Sequence, residues 1–209
     1  GVTHVVSISA CGSFRDHLSP GDFVVVDQFI DRTFAREKSF FGTGCVAHVS
    51  VAHPTCASLS AACLKAGQDA GVTMHKGGTY LAMEGPQFSS VAESHLYRSW
   101  GCDVIGMTNM PEAKLAREAE LHYASVAMIT DYDSWHPDHG AVDVSDVIKT
   151  LRANGTKARD LVVNLCADMS AVACRTDCDT ALTHAIMTAP DARDPALIAK
   201  LDAVAGRVL

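Results

Sequence analysis

Residues 124–129, Ala-Ser-Val-Ala-Met-Ile, form a short apolar run between Tyr123 and Thr130-Asp131-Tyr132-Asp133. A run of this length, rich in Val, Met and Ile and ended by polar residues, reads as a strand buried on both faces. Such strands need helices on each side of their sheet, so this stretch restricts the fold more than any other. Open α/β sheets bind ligands outside the carboxyl ends of their strands. Asp131 and Asp133 stand at that end, two residues apart. If strand geometry persists, period two puts both carboxylates on one side. A same-side pair can accept, share or deliver protons at one edge of a ligand. A plain strand-to-loop turn is the competing reading, because Asp is a common turn residue.

The rest of the chain supplies what such a strand needs. Residues 2–9, 23–29, 79–83 and 104–107 read as further strands, with Pro20-Gly21-Asp22 as a turn. Helices are expected over 54–70, stopped by Gly71, and from the Ser90-x-x-Glu93 capping box to about Trp100. Others are expected over 112–119 with Pro111 in the first turn, and over 144–151 capped by Asp143. Asn154-Gly155-Thr156 is expected to break the chain before a helix from 157 to about 171, and Asp194-Pro195 to start one over 196–204. Residues 30–54 show no period and read as a long, partly functional loop. Strands alternating with helices predict an α/β fold with a mixed, mainly parallel central sheet flanked by helices. The 209 residues suffice for a single domain, 1–209.

Charge and cysteines exclude several classes. The net charge is −7 with no basic block, which argues against nucleic acid as a partner. No apolar run approaches the roughly 20 residues that cross a bilayer. Gly1-Val-Thr-His4 has no basic region ahead of an apolar one, so no signal peptide is read. Most of the eight cysteines (Cys11, Cys45, Cys56, Cys63, Cys102, Cys166) lie in apolar stretches, as small hydrophobes of a reduced, cytoplasmic protein. Cys174-x-x-x-Cys178 has no second pair and reads as structural, and His136-Pro-Asp-His139 as a solvated turn. No metal is expected. The chain opens directly into an apolar strand, as the interior of a domain would, and an N-terminal part is expected upstream.

Four strand ends carry the residues that could do chemistry: Ser9-Ala10, Gly85-Pro86-Gln87-Phe88-Ser89, Met107-Thr108-Asn109 and Asp131-x-Asp133. Hydroxyls and backbone N–H groups bind an oxyanion. An aromatic ring stacks on a flat ligand, and carboxylates hold and protonate a nitrogen heterocycle. Together they suit a purine, a sugar and a phosphate. Each also has a plainer reading: Met107 as core packing, Phe88 as a loop anchor, His48 as a satisfied strand histidine.

The segments Thr79-Tyr-Leu-Ala-Met-Glu-Gly-Pro-Gln-Phe-Ser-Ser, Gly101-Cys-Asp-Val-Ile-Gly-Met-Thr-Asn-Met-Pro-Glu and Thr130-Asp-Tyr-Asp resemble the trimeric purine nucleoside phosphorylase family. The nearest branch is the one acting on 5′-methylthioadenosine. Thr3-His-Val-Val-Ser-Ile-Ser-Ala-Cys-Gly-Ser and Val25-Val-Asp-Gln-Phe-Ile-Asp-Arg-Thr fit the same branch, so the resemblance covers nearly the whole chain. It implies reversible phosphorolysis of 5′-methylthioadenosine to adenine and 5-methylthioribose 1-phosphate, in purine and methionine salvage. It implies phosphate as co-substrate, no cofactor and a homotrimer. By resemblance, Ser9, Ala10 and Thr108 contact phosphate, Phe88 stacks on the purine and Met107 lies under the ribose. Asp131 bonds purine N7 and Asp133 faces the 6-amino group. His48 reaches toward a neighbouring subunit's nucleoside, and Val144, Val147 and Ile148 wall the 5′-alkylthio group. The family's Gly-rich phosphate loop and Arg-His pair would lie upstream of Gly1, on a complementing segment. Gly106 stands where Asn is common, and Ser9 where Thr is. Two alternatives stay open. One is a 6-oxopurine nucleoside phosphorylase, a branch with Asn at the place of Asp131 and Glu at that of Ser89. The other is a catalytically incomplete piece with only an assembly or base-binding role.

Overall fold

The computed structural model describes residues 1–138, 144–169, 172 and 177–209. Its strands are β1 (His4–Ser13), β2 (Phe23–Val26), β3 (Gln28–Arg32), β4 (Met74–Lys76), β5 (Thr79–Met83), β6 (Val104–Gly106) and β7 (His122–Asp131). The run at 124–129 is the middle of β7, which is buried at every position but its last. Its alternate residues feed two cores: Tyr123, Ala127 and Ile129 join Val24, Val26 and Tyr80, while Ala124, Val126 and Met128 join Phe23, Val25 and Leu161. That is how period two produces a continuously apolar strand.

The sheet runs β3-β5-β6-β1-β7-β2-β4. Pairs β1/β7, β2/β4, β3/β5 and β5/β6 are parallel, and β1/β6 and β2/β7 are antiparallel. The mixed, mainly parallel sheet expected from the sequence is therefore present. One expectation fails: residues 23–29 are not one strand. The chain turns at Asp27, so that β2 lies near one edge of the sheet and β3 at the other. β4 and β5 make the same passage at Gly77-Gly78 with the register kept, Phe23 opposite Met74 and Gln28 opposite Thr79. This kinked two-stranded ribbon links the two edges and curls the sheet toward a barrel. The backbone at Gly77 (φ 80°) and Gly78 (φ 134°) lies where side chains are strained. Asp27 Oδ1 accepts from Gly78 N (3.2 Å), which pins the kink. The expected loop from residue 30 accordingly begins inside β3, and β4 is a strand that the apolar pattern did not mark.

The helices are α1 (Ala57–Asp69), α2 (Val91–Ser99), α3 (Glu112–Glu118), α4 (Val144–Ala167) and α5 (Pro195–Ala205). The capping box at α2 forms as expected, with Ser90 and Glu93 satisfying each other's backbone N–H. Pro111 is the N-cap of α3, one position before the expected first turn. The predicted break at 154–156 is absent, and α4 runs through it. Asn154 is buried there and its Nδ2 donates to Ile129 O (3.1 Å), so a residue that weakens helices elsewhere is retained by a tertiary hydrogen bond. Asp143, His139 and Cys174 lie outside the described residues. No described helix is long and apolar enough to cross a membrane.

Candidate active site

The carboxyl ends of β1, β5 and β7 and the residues after β6 meet around a cavity of about 230 Å³. Ser9, Ala10, Phe88, Met107, Thr108, Asp131, Asp133 and Val147 all line it. Residues from positions 9 to 133 thus converge because their strands, or the loops that follow them, are neighbours in one sheet, and Val147 comes from α4.

The two carboxylates are brought together differently from the period-two expectation. β7 ends at Asp131, and Asp133 sits in the left-handed region (φ 51°). Its N–H donates to Asp131 Oδ1 (2.8 Å), an Asx-type turn that aims both side chains into the cavity. Asp131 also accepts from Thr130 Oγ1 (2.7 Å). Asp133 is buried and accepts from Ser89 Oγ (2.6 and 2.8 Å) and from the Ser94 hydroxyl. Burial pushes the Asp133 carboxyl above its ordinary value, against the pull of those serines. Trp135 braces the turn: its Nε1 donates to Ser13 O (2.7 Å), and the Arg98 guanidinium lies 3.5 Å from its ring centre.

In the cavity lining, Thr108 Oγ1 is 3.0 Å from Tyr80 Oη, and Thr108 N donates to the same oxygen (3.4 Å). A Cβ at Gly106 would collide with Tyr80 Oη. The phenol therefore occupies the space that a side chain at 106 would need. This accounts for Gly at that position and supplies a polar atom beside Thr108. Arg36 holds the loops around Met107. Its Nη1 donates to Met107 O (2.9 Å) and Met110 O (2.6 Å), its Nη2 to Glu84 O (3.0 Å), and its Nε pairs with Glu84 (3.3 Å). Tyr80, Ser94 and Arg36 went unnoticed in the sequence. Buried or clamped polar side chains inside apolar or loop segments leave no periodic signature; only the Ser90 capping box hinted that Ser94 faces inward.

Three expected residues do not line this cavity. His48 is exposed, with its N–H donating to Ala185 O (2.8 Å). Val144 and Ile148 are exposed on the first turns of α4, while Val147 alone faces in. A larger cavity, about 500 Å³, lies between β2, α1 and Arg117 and contains none of the expected residues.

The Phosphorylase superfamily profile matches residues 1–167. The S-methyl-5'-thioadenosine phosphorylase of Cereibacter sphaeroides is 69% identical over 211 aligned residues, covering 100% of this chain and 73% of that protein. That of Bradyrhizobium diazoefficiens is 58% identical, covering 100% of this chain and 72% of that protein. A methylthioadenosine phosphorylase structure from an antarctic soil metagenomic library superposes with a TM-score of 0.91 at 42% identity, covering 97% of this chain and 72% of that one. The Schistosoma mansoni methylthioadenosine phosphorylase in complex with adenine gives 0.78 at 32% identity, covering 82% of this chain and 67% of that one. A profile matched over most of the chain, relatives matched over all of it and a shared fold agree: the chain belongs to the phosphorylase superfamily, in the family of the S-methyl-5'-thioadenosine phosphorylases.

Proposed function

We propose that this chain carries the nucleoside site of an enzyme that splits S-methyl-5'-thioadenosine with phosphate into adenine and 5-methylthioribose 1-phosphate, reversibly. The observation that carries the reading is one cavity lined by two carboxylates, Asp131 and Asp133, and by the hydroxyl-bearing Ser9 and Thr108. In the reaction the bond from ribose C1′ to the base nitrogen breaks, and a phosphate oxygen bonds C1′ from the other face. The transition state has oxocarbenium character, as in other glycosyl transfers. Adenine is a poor leaving group as an anion, so Asp131 is assigned to a proton at N7, worth about a hundred- to ten-thousandfold in rate. Asp133, fixed by Ser89 and Ser94, presents acceptor oxygens to the 6-amino group. Phosphate lies against Ser9, the Ala10 backbone and Thr108, and its charge stabilises the forming cation. Phe88 stacks on the base, Met107 underlies the ribose, and Val147 meets the alkylthio group. No cofactor takes part.

The rest of the reading is assembly. Residues 1–209 form part of one phosphorylase domain in a cytoplasmic homotrimer, where His48 completes a neighbour's site. Its exposure and the length of its loop support that reach. A complementing strand supplies further phosphate contacts. It is supported by the open side of β1, which pairs with β6 only at Gly12 and Ser13, whereas β7 pairs it from His4 onward. Along the rest of that side no described strand satisfies its backbone groups. The 6-oxopurine alternative is weaker, because Asp131 and Ser89 stand where that branch has Asn and Glu. The test is Asp131→Asn: turnover of methylthioadenosine falls at least a hundredfold, while methylthioinosine improves relative to it. An unchanged ratio of the two overturns the assignment.

A further inference from the structure

At the opposite end of β7 from the cavity, three metal-binding side chains converge. Cys56, His122 and Cys178 are all buried, and one ligating atom of each lies within 4.8 Å of the other two. They come from three places. Cys56 is the N-cap of α1, and its N–H donates to Tyr123 O (2.7 Å). His122 opens β7, and Cys178 lies in the 3₁₀ turn Asp177–Thr180. His122 is 8% exposed, and its Nδ1 is buried with no hydrogen-bond partner among the described residues. A fourth group stands beside them. His4 faces His122 across the β1/β7 ladder with ring centres 4.6 Å apart, and its Nε2 is also buried with no hydrogen-bond partner among the described residues. Its other nitrogen is engaged by Thr3 Oγ1 (2.8 Å).

Two orphaned imidazole nitrogens beside two sulfurs are costly as a plain core. A buried polar atom without a partner costs about 1–3 kcal/mol. A lone pair aimed at a cation removes that cost. We propose that Cys56, His122 and Cys178 bind a divalent transition-metal ion of the zinc class, with His4 as fourth ligand.

Thiolate and imidazole donors select such an ion over magnesium or calcium. Bonds of about 2.0–2.3 Å in a tetrahedron place ligand atoms roughly 3.3–3.8 Å apart, so the cluster closes by about 1 Å on binding. Each ion displaces two thiol protons to solvent. β7 is ten residues long, so the site lies roughly 30 Å from Asp131 and acts on structure, not on the reaction. It ties the C-terminal segment at Cys178 to the start of both central strands. The sequence spacing hides it, because the ligands are more than fifty residues apart and lack the paired spacing of zinc motifs.

The test uses the full-length protein purified from zinc-supplemented medium. Elemental analysis should find about one zinc per chain, and zinc-edge X-ray absorption should show two sulfur neighbours among light atoms. Cobalt(II) added after chelator treatment should give a thiolate-to-metal charge-transfer band that saturates at one equivalent and is lost in Cys178→Ser. Zinc below about a tenth of an equivalent together with no cobalt band overturns the proposal. So does a metal shell without sulfur, or a Cys56–Cys178 disulfide mapped by mass. The absorption and cobalt readouts are taken on the unmutated protein, so they decide the matter even if Cys178→Ser does not fold.

Discussion

Asp133 shows how one residue's surroundings set its chemistry. Its carboxyl is desolvated yet held by two serine hydroxyls, and the net effect is a raised pKa. The folded protein therefore binds a proton at Asp133 at pH values where the unfolded chain has released it. Stability from this group falls as pH rises from the unfolded value, about 3.9, up to the raised folded value, and is level above it. Asp133→Asn removes that slope. Urea melts across acidic pH should show the variant's deficit shrinking as pH rises through the window; parallel curves contradict the burial effect. Tyr80 is the second residue of interest, because its hydroxyl backs Thr108. Tyr80→Phe removes about 1 kcal/mol of hydrogen bonding, so KM for phosphate should rise about fivefold while KM for the nucleoside stays within twofold. Equal shifts in both would place Tyr80 outside the phosphate contact.

At the scale of elements, α4 decides how the end of β7 is presented. Asn154 reaches from α4 to Ile129 O, which also accepts from Gly21 N (2.9 Å). The strand end is thus held from two sides, immediately before the acidic turn. Gly155 contributes nothing comparable: a Cβ there meets no atom within 4 Å, and the residue is exposed within the helix. Gly155→Ala should therefore raise stability by about 0.5–1 kcal/mol, measured by the urea midpoint at unchanged m-value. A loss of stability would mean that the site is covered in the assembled protein.

For the whole molecule, the kinked ribbon closes one part of the sheet, while among the described residues β1 pairs on its β6 side only at Gly12 and Ser13. Large apolar side chains remain outside, with Phe34 82% exposed and Phe40, Val46 and Val51 on the same segment as His48. The proposed contact between subunits would cover such side chains. Light scattering of the full-length protein should give about three copies, and Phe34→Asp with Val46→Asp should shift it toward monomer with loss of activity. A fully active monomer contradicts the proposed sharing of His48.

What the sequence determined by itself is whatever depends on local order. The apolar run of β7, the Ser90 capping box and the strand–helix alternation can be read from neighbouring residues, because period and capping act over a few positions. The acidic pair was legible for the same reason, and the order of the motifs carried the family. Tertiary structure alone decided the rest. It ran α4 through Asn154-Gly155, since a buried hydrogen bond to Ile129 and packing outweigh a weak helix propensity. It sent β2 and β3 to different parts of the sheet, placed Ser89 and Ser94 against Asp133, and gathered Cys56, His122 and Cys178 from distant stretches. These depend on contacts between residues far apart in the chain, 25 positions for Asn154 and Ile129 and more than fifty between Cys56, His122 and Cys178, and no local pattern encodes such contacts.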